Sequence, residues 1–313
     1  MIGVRRSSIV IRRRVAAVSI APAARVWLRH TTGVRVLHIF DRACNLVNAA
    51  GEIVSLVSPE LREGPFTIVI PLEMPFSRFI DVDSRIAVHR ATLDVGDLRI
   101  ATSTAREWNP RPRWEDTRQA LSLDLVDGLL EWLCTRAPSD SLAHALFKGP
   151  GSRRTGVQSS VIEVARRPIA ALQAGIARGD PALCRSGARG LAGLGFGLTP
   201  AGDDFLLGAM VAIWSTHSSS KAAVLVGPIA SASAPFTTSL SAAWLQAAAR
   251  GEVAAPWHDL LGGMAARSRE RVLNAAERIL NMGHTSGADA LAGLTAGLIA
   301  VGQTTTVPLK FDL

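Results

Sequence analysis

Gly193-Leu194-Gly195-Phe196-Gly197-Leu198-Thr199-Pro200-Ala201-Gly202-Asp203-Asp204-Phe205-Leu206-Leu207-Gly208-Ala209-Met210-Val211-Ala212-Ile213-Trp214 decides how this chain folds. Glycines at alternate positions (193, 195, 197) make a turn with few steric limits. Thr199 suits an N-cap, and Pro200 suits the first helical position, where its missing N–H is not needed. The reading is a helix from Pro200 to His217. Phe205 to Trp214 contains no charged residue, so this helix is apolar all round and belongs inside a core. Asp203 and Asp204 then fall in its first turn, and carboxylates taken out of water need N–H groups, cations or a metal as partners.

About 85 residues later the design returns in Gly283-His-Thr-Ser-Gly-Ala-Asp-Ala-Leu-Ala-Gly293. Gly202, Asp204, Leu206 and Gly208 correspond to Gly287, Asp289, Leu291 and Gly293. On a helix, Asp204, Gly208 and Ala212 share one face, as do Asp289, Gly293 and Gly297. Each helix thus carries a smooth stripe headed by an aspartate. The expectation is that the stripes face each other and bring both helix starts to one pocket.

Working outward, 313 residues with 48% hydrophobic content suggest two domains with substantial cores. The net charge of +8 would suit nucleic acid, but residues 1–30 hold seven arginines and no acid, which leaves +1 for the rest. No basic stripe remains for a phosphate backbone, so nucleic-acid binding is not expected. Cys44, Cys134 and Cys184 are odd in number, far apart and without CxxC spacing, which fits a reducing cytoplasm. The Arg-rich start followed by Val15–Ala24 imitates a signal peptide. Its apolar run is short and broken by Ser19 and Pro22, and no stretch reaches the ~18 apolar residues of a membrane span. Residues 1–19 read as a loose leader.

From residue 20 to 108 the text is strand-like. Val26-Trp-Leu28, Val34–Phe40, Ile53–Val57, Phe66–Ile70, Ile86–His89 and Leu98–Ile100 are short runs set between turn signals. They predict a mostly antiparallel β domain, with Asn45–Asn48 and Glu63–Phe66 as polar or bent pieces that either make turns or reach a ligand. Asn109-Pro-Arg-Pro112 breaks any element. From 109 to 313 the period becomes helical, with helices expected over 116–136, 155–178, 181–192, 200–217, 236–250, 258–281 and 286–301. Ser218–Ser220 reads as a surface loop, and six of the tryptophans as packing anchors. The fold class is α+β, with the β domain first and a larger α-helical domain after it.

Helix starts present free N–H donors and the positive end of a dipole, which suits phosphate or carboxylate. Gly195, Gly197, Thr199, Gly202, Thr285, Ser286 and Gly287, with Asn45 from the β domain, are the expected binding residues for a small anionic substrate. Asp203, Asp204, His284 and Asp289 are the candidates for catalysis, His284 as a general base. Bare carboxylates would repel an anion unless a cation bridged them, and Mg²⁺ on Asp204 and Asp289 suits that role. Equally, both residues 203 and 204 could simply accept hydrogen bonds from loop amides. No HxxxH, HExxH, GxSxG, Walker A or GxGxxG pattern occurs, which argues against histidine-built zinc sites, serine hydrolases of the α/β type and nucleotide loops.

Gly197–Asp204, Gly283–Gly293, Ala248-Ala-Arg-Gly-Glu252, Ala43-Cys-Asn-Leu46 and Gly64-Pro-Phe66 together resemble the AllH family, over about residues 20–303. The resemblance implies kinship with a subunit of oxamate carbamoyltransferase, which works with other subunits in allantoin breakdown and exchanges carbamoyl between oxalurate and phosphate. Two other readings stand beside it. Paired Asp-bearing helix starts are similar to the magnesium sites of ADP-ribosylglycohydrolases, although the Asp-Thr-Asp pattern of that family is absent. The chain could also be a non-catalytic assembly subunit whose motifs only pack helices.

Overall fold

The computed structural model describes residues 12–146 and 157–302. The chain divides after Pro110 into two compact units.

The first unit is built from β1 (Arg13–Ala16), β2 (Ser19–Ile20), helix α1 (Pro22–His30), β3 (Arg35–Ile39), β4 (Ala43–Val47), β5 (Ile53–Val57), β6 (Thr67–Val69), β7 (Ile86–Val88), β8 (Thr92–Val95), β9 (Leu98–Ala101) and β10 (Arg106–Glu107). They form a four-stranded sheet in the order β1-β9-β8-β7 and a six-stranded sheet in the order β10-β2-β6-β5-β4-β3. Most neighbours are antiparallel, but β1/β9, β2/β10 and β5/β6 run parallel. Ile20, Leu46, Leu56, Ile68, Leu93 and Ile100 fill the core between them.

Three features of this unit depart from the sequence reading. The expected strand at Val26–Leu28 is part of α1: Pro22 sits in its first turn, and Ala24, Trp27 and Leu28 bury one helical face, which outweighs the β preference of Val26. Asn45 lies in the middle of a strand, where its Oδ1 accepts a 2.6 Å hydrogen bond from the hydroxyl of Ser55, its direct partner on β5. The loose leader is also shorter than 1–19. β1 and β2 are paired in the sheets, and Arg12 reaches the buried Asp94 at 2.8 Å, so residues 12–20 belong to the fold. Residues 1–11 lie outside the described residues.

The second unit contains α2 (Trp114–Ala120), α3 (Leu123–Arg136), α4 (Val157–Arg178), α5 (Pro181–Leu191), α6 (Ala201–Thr216), α7 (Ser219–Ser233), α8 (Ser239–Ala249), α9 (Ala255–Ala265), α10 (Arg269–Leu280) and α11 (Ser286–Gly302). The helices expected over 116–136 and 258–281 are each two, and Arg267, at a φ of 51°, makes the break between α9 and α10. Residues 155 and 156 of the helix expected over 155–178 lie outside the described residues. The serine run opens α7, because Ala222, Leu225, Val226, Ile229, Ala230 and Ser233 form a buried stripe at helical spacing. Around α6 and α11 the other helices form a single core, with Trp114 stacked on Trp214 at 6.0 Å. Among the described residues no helix is long and apolar enough to cross a membrane.

Candidate functional site

Two nearly all-apolar helices can come close only where side chains are absent, and the glycine stripes supply that condition. A Cβ on Gly208 would stand 1.7 Å from the carbonyl oxygen of Ala290, and one on Gly293 would stand 1.9 Å from that of Phe205. Farther along, a Cβ on Gly297 would meet the Ala212 methyl at 2.5 Å. Contacts advance in the same direction along both helices, so α6 and α11 run parallel with their N-termini at one end. The arrangement is also reciprocal: Phe205 and Ala209 face Gly293 just as their counterparts Ala290 and Leu294 face Gly208. The repeat in the sequence is a local two-fold pair in space.

Parallel packing sets two positive dipole ends side by side, and a carboxylate in each first turn counters them. The three aspartates meet that demand differently. Asp203 has both oxygens occupied: Oδ1 accepts from the Gly193 amide at 3.1 Å, and Oδ2 accepts from the Thr237 hydroxyl. Burial raises its pKa, and the Thr237, Gly193 and Ser241 hydrogen bonds oppose the rise. Asp289 is fully buried, with Oδ1 accepting from the Ser141 hydroxyl at 2.8 Å and the Leu142 amide at 2.6 Å. Its Oδ2 is buried with no hydrogen-bond partner among the described residues. Burial pushes its carboxyl up to about 6. Asp204 also has a buried Oδ2 without a partner. Burial pushes its pKa well up, the hydroxyls of Ser286 and Thr199 pull it down, and the charges of Asp289 and Asp203 push it up further.

The two helix starts are joined directly, since Thr199 Oγ1 and Ser286 Oγ lie 3.1 Å apart. Thr199 is therefore not the cap that its type suggests. α6 begins at Ala201, Pro200 occupies the cap position, and no side chain caps the helix. Gly193, Gly195 and Gly197 have φ values of 68°, 115° and 94°, which L side chains rarely adopt. The loop they form is braced from outside, because the carbonyl of Leu198 accepts from Thr238 Oγ1 at 2.6 Å. Among the described residues the amides of Gly195, Phe196, Gly197 and Leu198 make no hydrogen bond within the chain. Backbone amides left free at a helix start are donors of the kind that anions accept from.

Other expected residues are differently placed. The amide of Gly202 donates to Leu194 O and that of Gly287 to Met282 O, so both donors are engaged. These glycines permit close packing instead: a Cβ would come within 2.0 Å of Leu191 O and 1.8 Å of Ile279 O respectively. Thr285 helps to hold down the Asp289 pKa through its hydroxyl. His284 is exposed, with Nε2 at 3.3 Å from Asp140 Oδ2. Asn45 belongs to the first unit and is engaged with Ser55. No three His, Cys, Asp or Glu side chains gather as a metal site among the described residues, so a cation at Asp204 and Asp289 would draw its other ligands from hydroxyls, substrate or water. Ser141 and Thr237, which hold two of the three aspartates, carry no motif of their own and are brought in only by the packing of neighbouring segments.

No curated protein and no solved structure matches the chain. Residues 16–107 match the model of the AllH family N-terminal domain, and residues 191–298 match the model described as oxamate carbamoyltransferase subunit AllH. The second match spans the glycine loop, α6 and all but the last four residues of α11, and the two together cover most of the sequence, so the chain belongs to the AllH family.

Proposed function

We propose that this chain is a cytoplasmic subunit of a carbamoyltransferase that binds a small carbamoyl-bearing or carboxylate anion, such as oxamate, oxalurate or carbamoyl phosphate, at the paired helix starts. The observation that carries the reading is the pair of aspartates at the joined helix starts, Asp204 and Asp289, whose Oδ2 atoms are buried without a hydrogen-bond partner among the described residues, together with the preceding loop Gly195–Leu198, whose amides make no hydrogen bond within the chain among the described residues. The amides hold the anionic end of the substrate. Because burial favours the neutral form of Asp204, its carboxyl acts as a hydrogen-bond donor to a carbamoyl or carboxylate oxygen, which removes the repulsion that a bare carboxylate would cause. Thr199 and Ser286 supply hydroxyls beside it, and His284 with Asp140 stands at the second helix start. Asp203 holds the glycine loop. The name of the matched family model supports partner subunits, and carbamoyl transfer is assigned to the assembled enzyme.

The test is thermal melting of the purified chain against oxamate, oxalurate and carbamoyl phosphate, each with and without Mg²⁺. A ligand at a hundred times its dissociation constant stabilises the native state by ~2.7 kcal/mol, a visible shift. The expected result is a shift with the carbamoyl compounds that disappears in Asp204→Asn. An unchanged shift in that variant overturns the site. A shift with Mg²⁺ alone favours a metal-dependent hydrolase, for which the two partnerless carboxyl oxygens are the supporting observation.

A further inference from the structure

Helices α5 and α7 and the turn after α7 flank an open surface cavity of about 420 Å³. Its wall carries Arg185, Ser186 and Arg189 from α5, Ser231 from α7, and Pro235 and Phe236 from the turn. The arginines are one helical turn apart on one face, where like charges repel. No aspartate or glutamate lines the cavity to offset them. Among the described residues neither arginine makes an ion pair. Arg189 is instead held with its guanidinium 4.9 Å over the ring of Phe236, which orients the fork while leaving its charge uncompensated.

We propose that this cavity is a second anion site, separate from the paired helix starts, that takes a small oxyanion of the phosphate or carboxylate class. Arg185 and Arg189 supply planar donor forks that match the oxygens of such a group, and Ser186 and Ser231 supply hydroxyls. The volume suits one small molecule with its hydration. The turn that walls the cavity also braces the glycine loop: a Cβ on Gly193 would stand 2.2 Å from Phe236 O, and the next residue, Thr237, donates to Asp203. An anion that draws on Arg189 and Phe236 therefore bears on the loop whose amides line the first site. The site rests on its own residues and does not depend on carbamoyl transfer.

The probes are inorganic phosphate and oxamate, titrated calorimetrically into the full chain at an ionic strength held constant with chloride. Three proteins are compared: the natural sequence, Asp204→Asn, and the double variant Arg185→Gln with Arg189→Gln. Both arginines are exposed, so the double variant is expected to fold, and its circular dichroism and ligand-free melt check this; the single variants stand in if it does not. Phosphate affinity is expected to survive in Asp204→Asn and to fall at least about tenfold in the double arginine variant, since two charge-assisted contacts are removed. Equal affinity in the natural and double-arginine proteins overturns the proposal. So does phosphate binding lost only in Asp204→Asn, which would assign the anion to the paired helix starts alone. A double variant that keeps phosphate affinity but no longer assembles with its partner subunits also overturns it, in favour of a protein-docking role for the arginines.

Discussion

Asp203 and Asp204 are neighbours in the chain, yet their surroundings differ, because successive helical residues point about 100° apart. Asp203 turns to the loop and is satisfied on both oxygens; Asp204 turns to α11 and is left with one oxygen unpaired. Asp289 is the residue whose titration can be followed most directly. Its folded pKa of about 6 lies above the unfolded value of about 3.9, so the native state holds the proton more tightly. Its contribution is present at low pH and is lost as pH rises from about 4 through about 6, amounting to about 3 kcal/mol. Urea unfolding across that window is expected to show a fall in stability that is smaller in Asp289→Asn, whose Oδ1 can still accept from Ser141 and Leu142. Equal slopes would mean that Asp289 does not titrate there. Asp94 works in the opposite direction: hydrogen bonding from Arg99, with the charge of Arg12, lowers its pKa, and its contribution is lost as the medium turns acid.

At the scale of the element, the site depends on how closely α6 and α11 approach. Gly208→Ala or Gly293→Ala would drive a methyl into a backbone carbonyl, which no rotamer change relieves. Each is expected to lower stability by about 3 kcal/mol or more, and to weaken ligand binding by parting the helix starts. Gly262 in α9 is the control, since a Cβ there meets nothing within 4 Å. Gly262→Ala is expected to stabilise by about 0.5–1 kcal/mol through helix propensity. Denaturant midpoints measure both, and a tolerated Gly208→Ala would show that the two backbones are not in contact. The same scale explains which elements could be read in advance. α6 and α11 were legible because their apolar character and glycine spacing are local. α1, α7 and β4 were not: Val26, the serines of 218–220 and Asn45 each carry a local preference that burial against a distant segment reverses.

For the whole molecule, each hydrophobic core is drawn from one side of Pro110 alone. Scanning calorimetry is therefore expected to resolve two transitions, with Gly293→Ala moving only the one that belongs to the helical unit. A single transition shifted as a whole would show that the two units unfold together. Family membership extends across both units, with one matched model in each. The β unit is thus a recurring part of the family's architecture rather than an accidental attachment.

By itself the amino-acid sequence determined the order of a β unit and a helical unit, the burial of α6, and the pairing of two Asp-headed glycine stripes, because periodicity, charge absence and repeat spacing are properties of neighbouring residues. It also carried enough of the motifs around Gly197–Asp204 and Gly283–Gly293 to point to the family. Only the tertiary structure decided which aspartate is satisfied and which is not, that Thr199 meets Ser286 rather than capping its helix, and that Arg185 and Arg189 face a cavity without a counter-charge. Hydrogen-bond satisfaction and uncompensated charge depend on partners far away in the chain, such as Ser141 for Asp289 and Thr237 for Asp203, and those partners are chosen by packing.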